Sequence, residues 1–316
     1  MDDDDLDLFR RSVHHATDNH TGVALDAALD ELGWRDALTA ASHVAIPVLF
    51  ERQGTTNTTS SALDDLVAAA LGVGGAARVG VVLPAPGRWE PPGVHAGGTL
   101  RVRGLATATL ARHAQAIIVT ADDVRAMPSS ALELRSAQGI DPSLGLVAVS
   151  AELALGTAPV MLASPDWAAA VALAQLAVGH ELVGAARAML DLAREHAVTR
   201  VQFGREIAMF QAVRHRLAES LVAVETADAA LRAAWDDPTP EIAAMAKAIA
   251  GRGARTAARH CQQVLAGIGF TTEHGFHRYL RRILVLDQLF GSARSLTRDL
   301  GERIVATRRL PDLLPL

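Results

Sequence analysis

Two short segments in the C-terminal half of the chain combine residue types that could bind a phosphate-bearing ligand. The first, R-V-Q-F-G-R-E-I, covers residues 200–207, and the second, Q-V-L-A-G-I-G-F, covers residues 263–270. We expect Arg200 at the start of a helix, where its permanent charge and the free N–H groups of the first turn would bind phosphate. A glycine at position 267 would let a ligand approach the backbone closely.

Ordinary structural roles explain each of these residues taken singly. An arginine at the start of a helix is most often a solvated charge. Phe203 and Phe210 would by default be core residues, and Gly267 would simply end a helix. The chemical interpretation therefore depends on the whole string of residues at matched spacing, present in two segments.

Three zones of different sequence pattern would position these segments. Residues 1–75 contain apolar residues at spacings of three and four, which predicts an N-terminal helical domain. Residues 76–157 contain short β-branched stretches broken by proline and glycine, which predicts a reduced middle β domain. Residues 158–316 predict long helices with short breaks, packed as an antiparallel bundle. The expected fold is mainly α with a small β domain.

Local signals set the expected boundaries of the bundle helices. Ser164-Pro165-Asp166 has an N-cap residue followed by proline and an acid, which predicts the start of a helix of roughly 30 residues. Leu100 and Val102 alternate with arginines, which predicts a half-buried strand in the β zone. The remaining helices are expected to begin at Glu206, at Thr239, near Thr272 and at residue 292.

Composition and charge exclude several classes of protein. The chain has 30 basic and 35 acidic residues and a formal net charge of −5, so it lacks the positive charge of a nucleic-acid-binding protein. Its one cysteine excludes an intrachain disulfide and a Cys-rich metal site. The acidic start is unlike a signal or transit peptide, and the apolar stretch at 168–178 is short for a membrane span. We expect a cytoplasmic protein with no membrane partner.

The order of the zones and the two segments together resemble the acyl-CoA dehydrogenase family. Residues 200–215 are similar to the family's R-x-Q-F-G-x-x-I…F-Q-x-x-x-H segment, and residues 263–273 to its Q-x-x-G-G-x-G-F-x-x-E segment. The likeness covers nearly all of the third zone, fits the first loosely and fits the second poorly. It implies FAD at a subunit interface, an acyl-CoA substrate and an electron-transfer flavoprotein as electron acceptor.

The resemblance also implies a role for each matched position, in contact with a flavin held mainly by a neighbouring subunit. The two residues at the pyrophosphate would be Arg200 and Gln202, with Phe203 on the flavin ring. The adenine and the remaining adenosine contacts would be made by Gln211, Gln263 and Gly267. One position departs from the pattern, since Ala266 stands where the family often has glycine.

The catalytic base of the family is missing at both of its known locations. Members remove the α-proton of the thioester with a glutamate while a hydride leaves the β-carbon. The resemblance places that glutamate at Phe290 or at Ala174, and neither side chain can accept a proton. The β zone also lacks the family's usual Thr-Glu…Gly-Ser stretch, and the chain is shorter than a typical member.

Three hypotheses follow. The first is the shorter, degenerate subunit of an α2β2 acyl-CoA dehydrogenase, a type known from actinobacterial steroid catabolism, in which a larger subunit supplies the base. The second is a self-sufficient homomeric enzyme whose base has moved to Asp287 or Glu273. The third is a catalytically inert helical interaction protein on the same scaffold.

Overall fold

The computed structural model describes residues 3–73, 78–137, 139–154, 156 and 159–310. These residues pass from N-terminal helices through two small sheets to a C-terminal set of long helices. The expected mainly α fold with a small β region is therefore confirmed. The predicted domain borders at 75/76 and 157/158 lie outside the described residues.

The elements follow one another in this order along the chain. The N-terminal helices are α1 (Asp3–Asn19), α2 (Val23–Glu31), α3 (Trp34–Thr56) and α4 (Ala62–Ala70). The strands are β1 (Gly80–Val81), β2 (Gly93–Ala96), β3 (Thr99–Thr107), β4 (Gln115–Val119), β5 (Asp123–Pro128), β6 (Glu133–Ser136), β7 (Leu146–Ala154), β8 (Val160–Ala163), β9 (Val201–Gln202) and β10 (Arg205–Glu206). The C-terminal helices are α5 (Trp167–Thr199), α6 (Gln211–Ala234), α7 (Pro240–Leu265), α8 (Phe276–Leu286) and α9 (Ala293–Thr307).

Among the residues that the structure describes, the β region consists of two four-stranded sheets. One has the strand order β1-β4-β5-β8, with β1 and β4 parallel, and the other is antiparallel with the order β2-β3-β7-β6. In β3, Leu100 and Val102 are buried while Arg101 and Arg103 are exposed, as the alternating sequence predicts. The sequence patterns predict strands at β1, β3, β4 and β7 but not at β2, β5, β6 and β8.

Helix α3 is also absent from the sequence-based prediction. It contains Pro47, which cannot donate the helical backbone hydrogen bond, and Ala41 has non-helical angles of φ −153° and ψ 58°. The apolar residues surround the helix because it lies between α1 and α5. A kinked, proline-containing helix buried on several sides lacks the amphipathic period that sequence reasoning detects.

Helices α3 and α5 touch backbone to backbone through two glycines. A Cβ atom at Gly184 would lie 2.1 Å from the carbonyl oxygen of Glu51, and one at Gly54 would lie 2.1 Å from that of Glu181. The Arg187 side chain next to this contact hydrogen-bonds Glu51 and lies 3.1 Å from Asp228. The N-terminal helices are therefore fixed directly onto the C-terminal set.

The long helix α5 matches its expected length but begins two residues later than expected. It has 33 residues, and its cap is Asp166, whose carboxylate accepts from the backbone N–H of Ala169 at 3.0 Å. Ser164 is not the cap, because its φ of +53° places it in a turn before the helix. By length and composition α5 could cross a membrane, but 83% of its most apolar window is buried inside the protein. It is a core helix.

Of the other predicted helix starts, two are confirmed and two are wrong. Thr239 caps α7 through the N–H of Ile242, and Ser292 caps α9 in a reciprocal capping box. Helix α6 begins at Gln211 instead of Glu206, and α8 begins at Phe276 instead of Thr272. In each case the residues between the two positions form 3₁₀ turns, bends or a hairpin.

A buried arginine joins the three parts of the chain. The Arg282 guanidinium of α8 is fully buried and donates to Asp141 of the β region at 2.7 Å and to Glu181 of α5 at 3.2 Å. It also donates to the carbonyl oxygens of Thr58 at 2.9 Å and Asn57 at 3.4 Å, just after α3. Burial raises the pKa of Glu181 to about 7, more than Arg282 lowers it. The negative charge of Asp141 offsets the positive charge of Arg282 and thereby also raises the pKa of Glu181.

Candidate functional site

The first predicted segment forms a short hairpin and not the start of a helix. Arg200 is the residue that ends α5, and β9 and β10 follow it as an antiparallel pair. Phe203 and Gly204, the two residues of the turn, have φ values of +53° and +78°, as in a type I′ hairpin. The expectation that Arg200 uses the free N–H groups of a helix start is therefore wrong.

The tip of this hairpin carries an exposed aromatic ring. The Phe203 side chain is 91% exposed, so the default expectation of a core residue is wrong for it. Its ring meets the half-buried Phe210 edge to face at 6.1 Å, and the Arg205 guanidinium lies 4.5 Å from the centre of the Phe210 ring. Burying such a side chain is worth about 1.5–3 kcal/mol, which favours a role for Phe203 in contact with another molecule.

All six predicted cofactor-binding residues are exposed and point away from the core. They are Arg200, Gln202, Phe203, Gln211, Gln263 and Gly267. The Gln211 side chain is held against His215 at 3.1 Å, whereas Arg200 contacts no carboxylate in the described part of the chain. Outward-facing amide and guanidinium donors suit a ligand that is held by another molecule and covers this face.

Two residues that flank the predicted segments interact electrostatically. His196 stands one turn before Arg200, and His274 follows the second segment. The pKa of His196 is lowered chiefly by burial and further by the positive charge of His274 and of Arg200. This interaction links the last turns of α5 with the turn after α7.

In the second segment, the residue whose backbone angles are typical of glycine is Ala266 and not Gly267. Ala266 has φ +51° and ψ −132°, a combination that costs a residue with a Cβ atom about 1–3 kcal/mol. The φ of Gly267 is not positive, and a Cβ atom there would meet nothing within 4 Å. The close approach of a ligand to the Gly267 backbone stays a prediction, since the space beside this residue is open.

We expect Ala266→Gly to raise the free energy of unfolding by about 1 kcal/mol, because relief of strain exceeds the added entropy of the unfolded chain. Urea denaturation followed by circular dichroism measures this change. The matched control is Ala218→Gly at an exposed helical position of α6, which should lower stability by about 1 kcal/mol. Equal destabilisation by both substitutions would contradict the strain at Ala266.

Ala174 and Phe290, the two positions expected for the family's catalytic base, are close together in the core, and both are buried. The Ala174 side chain is fully buried and Phe290 is 1% exposed. The Gln175 amide donates to the carbonyl oxygen of Phe290 at 3.0 Å, which joins the two locations directly. No carboxylate replaces the missing base at either position.

The chain's sole lysine, Lys247, hydrogen-bonds the backbone of the loop that contains Phe290. Lys247 of α7 is fully buried and donates to the carbonyl oxygens of Asp287, at 3.1 Å, and Gly291. Burial lowers the pKa of Lys247 to about 8. Two backbone carbonyls thus bind the ammonium group, and the segment between them, including Phe290, is fixed against α7.

Asp287 and Glu273, the two carboxylates considered as relocated bases, both lie in surroundings that do not suit a catalytic base. Asp287 is 2% exposed, and its carboxylate accepts from Arg255 at 3.2 Å and from the N–H of Ala293 at 2.9 Å. Glu273 lies exposed in the turn between α7 and α8. Asp287 is therefore occupied in holding the start of α9, and Glu273 lacks the desolvated surroundings that raise the basicity of a catalytic carboxylate.

Known proteins share the sequence of the helical part. Residues 168–305 match the C-terminal domain of acyl-CoA dehydrogenases. The acyl-CoA dehydrogenase IpdE2 of Mycobacterium tuberculosis is 39% identical over 131 residues, which are 42% of this chain and 41% of that protein. FadE34 of the same organism is 40% identical over 139 residues, 42% of this chain and 20% of that protein. The matched stretch thus spans less than half the length of these relatives.

Solved structures share the fold over almost the whole chain. A variant of the Tcur3481-Tcur3483 steroid acyl-CoA dehydrogenase superposes with a TM-score of 0.78 at 20% identity, covering 96% of this chain and 99% of the other. The ChsE4-ChsE5 complex of M. tuberculosis gives 0.73 at 20% identity, covering 99% of each chain. By sequence, residues 168–305 belong to the acyl-CoA dehydrogenase C-terminal domain family, and the chain as a whole shares the fold of these solved structures.

Proposed function

We propose that this chain is the non-self-sufficient subunit of a flavin-dependent acyl-CoA dehydrogenase, which binds one side of an FAD held by a larger partner subunit. One observation carries the proposal. The residues suited to an external cofactor, Arg200 and Gln263 among them, are exposed, while both locations of the base are buried and lack a carboxylate. A subunit with these two properties contributes to an active site that it cannot complete.

Within such a site, FAD supplies the acceptor for the hydride that leaves the β-carbon of an acyl-CoA thioester. Arg200 and Gln202 bind the pyrophosphate side, and Phe203 excludes water from the ring system it covers. Gln211, Gln263 and Gly267 orient the adenosine end. The α-proton is taken by a carboxylate of the larger subunit, since none of these residues is a base.

Further details of the proposal draw on the related structures. The ChsE4-ChsE5 complex is built from two kinds of chain by its name, and the Tcur3481-Tcur3483 protein acts on steroids by its name. We infer an α2β2 assembly for this chain and a steroid-derived thioester as substrate. Electrons would leave through an electron-transfer flavoprotein, in the cytoplasm.

Co-expression tests whether flavin binding and acyl-CoA oxidation require both kinds of subunit. The chain is purified alone and together with a larger acyl-CoA dehydrogenase subunit, and flavin absorbance is measured per mole of each chain. We expect almost no flavin and no acyl-CoA oxidation for the chain alone, and one flavin per pair of subunits in the complex. One flavin per subunit with activity in the isolated chain contradicts the proposal.

The double substitution Arg200→Ala with Gln263→Ala should weaken flavin retention by the complex about ten- to hundred-fold. A hydrogen bond to a charged group is worth about 1.5–3 kcal/mol, and the arginine contact is the charged one of the pair. Flavin release during dilution measures the change. The control is Arg194→Ala, an exposed arginine of α5 paired with Asp191. It should leave flavin retention unchanged, and equal loss in both would remove Arg200 and Gln263 from the site.

Two outcomes would favour the other hypotheses. If Glu273→Gln or Asp287→Asn abolishes turnover while the protein keeps its fold and its flavin, a relocated base in this chain is the better explanation. If the co-purified complex has no flavin, the chain is an inert interaction subunit. Under our proposal, Glu273→Gln leaves the turnover of the complex unchanged.

A further inference from the structure

The backbone of the hairpin formed by β9 and β10 does not by itself fix the direction of the exposed Phe203 ring. Each strand contributes two residues, and next to them the N–H of Ile207 donates to the carbonyl oxygen of Arg200 at 2.8 Å. A two-stranded hairpin is marginally stable on its own in water. The direction of the Phe203 ring at the tip therefore depends on side-chain contacts.

The residue that the hairpin side chains contact, Phe210, is itself firmly held. It directly precedes α6, and its carbonyl oxygen accepts from the N–H groups of Val213 at 3.0 Å and Arg214 at 3.2 Å. Its own N–H donates to the carbonyl oxygen of Ile207 at 3.1 Å, and the Arg214 guanidinium donates to that of Ala208 at 2.8 Å. The half-buried Phe210 ring is therefore fixed relative to the helical part of the chain.

Two side chains of the hairpin meet on this ring. The Phe203 ring lies 6.1 Å from it at an interplanar angle of 85°, and the Arg205 guanidinium lies 4.5 Å from its centre. Both arrangements are attractive, the first between ring edge and ring face and the second between cation and ring. In the ranges that the structure describes, no carboxylate pairs with Arg205. Because Gly204 alone separates Phe203 from Arg205, the cation–ring contact restricts where the Phe203 ring can lie.

We propose that Arg205 is a positioning residue for flavin binding, which stacks on Phe210 and so directs Phe203 toward the flavin ring of the partner subunit. Arg205 also lies directly opposite Gln202 in the hairpin, and residues opposite each other project from the same face. The same contact thus sets the direction of Gln202. Groups that are ordered before binding lose less entropy when the ligand arrives, so this stacking strengthens cofactor binding without touching the cofactor.

The naming of a flavin rests on the proposed function, whereas the direction of the Phe203 ring in the isolated chain does not. A direct contact between Arg205 and the pyrophosphate is the alternative role for this exposed cation. The two roles differ in what they require of Phe210. A residue that acts through the Phe210 ring has no further effect once that ring is removed, whereas a residue that binds phosphate directly keeps its effect.

NMR of the full chain alone measures the direction of the Phe203 ring. Phenylalanine with an isotope-labelled ring gives signals from seven residues, and Phe203→Leu identifies those of position 203. We expect the nearby Phe210 ring to displace these signals from their positions in the unfolded chain. Arg205→Gln should remove most of this displacement, and Arg205→Lys, which keeps the cation, should restore most of it. A merely structural role for Arg205 would move the Phe203 signals in neither variant.

Flavin release during dilution of the complex with a larger acyl-CoA dehydrogenase subunit measures the consequence for binding. Arg205→Gln should weaken flavin retention about two- to five-fold, the size expected from one exposed cation–ring contact. Arg205→Lys should keep most of the retention. The double substitution Arg205→Gln with Phe210→Leu should be no weaker than Phe210→Leu alone. The control is Arg194→Gln at the exposed arginine paired with Asp191, which should change neither the Phe203 signals nor flavin retention.

Unchanged Phe203 signals in Arg205→Gln would overturn the proposal, whatever happens to the flavin. Additive effects of Arg205→Gln and Phe210→Leu on retention would also overturn it, because Arg205 would then bind the phosphate directly. If Arg205→Gln leaves retention unchanged while Arg200→Ala with Gln263→Ala lowers it, the positioning role is wrong and the proposed function stands. A complex without flavin would remove the proposed function and the role of Arg205 together.

Discussion

Replacement of Arg282 by methionine is expected to lower the free energy of unfolding by about 3–5 kcal/mol, because one partner of a buried charge cluster is removed. The carboxylates of Asp141 and Glu181 would lose their shared cation, and the carbonyl groups of Thr58 and Asn57 would lose a donor. Methionine fills much of the same volume, so the effect reports on charge and hydrogen bonding. Urea unfolding at pH 7, followed by circular dichroism, measures it.

The neighbouring Arg281 provides the control, since it is exposed on the same helix. Arg281→Met should change the free energy of unfolding by no more than about 0.5 kcal/mol. A loss below about 1 kcal/mol for Arg282→Met would show that the cluster contributes little to stability. Fluorescence of Trp34 and the other tryptophans then reports whether the three parts of the chain unfold together.

The second large effect concerns pH and Glu181. Its pKa is about 7 in the folded chain, against 4.5 for an ordinary glutamate. The folded state therefore holds this proton more tightly, and stability falls as pH rises from about 4.5 to 7, by about 3 kcal/mol from this group. Below pH 4.5 Glu181 is protonated in both the folded and the unfolded state, so it does not change stability with pH. Above pH 7 it is ionised in both states, and the whole loss of about 3 kcal/mol is present.

Glu181→Gln removes this titration and keeps an oxygen acceptor for Arg282. Relative to the unsubstituted protein, the variant should gain about 3 kcal/mol of stability between pH 4.5 and pH 8. Urea midpoints across that range give the difference, in which other titrating groups cancel. A difference that stays constant with pH, or that changes in the opposite direction, would mean that Arg282 holds Glu181 ionised.

Local sequence signals predicted the elements whose formation depends on local chemistry. Thr239 before proline and Ser292 before α9 both cap helices as expected, and Leu100 and Val102 of β3 alternate with arginine. Helix α3 escaped prediction because its burial removes the amphipathic period and Pro47 resembles a helix stop. Arg200 was placed at a helix start because a hairpin turn at Phe203-Gly204 has no clear local signature here.

The long-range parts of the site and core could not be read from the sequence. Arg282 contacts residues 101, 141 and 225 positions away, and no local pattern links them. The missing base was evident from the residue types at positions 174 and 290, but the burial of both was not.

The contact between Gly54 and Gly184 has a consequence during synthesis. Its neighbouring ion pair joins Glu51 and Arg187, which are 136 residues apart. At about 5–20 residues per second, the N-terminal helices leave the ribosome on the order of ten seconds before α5 can cover them. The faces of these helices that α5 covers in the folded chain are therefore without this partner for that interval.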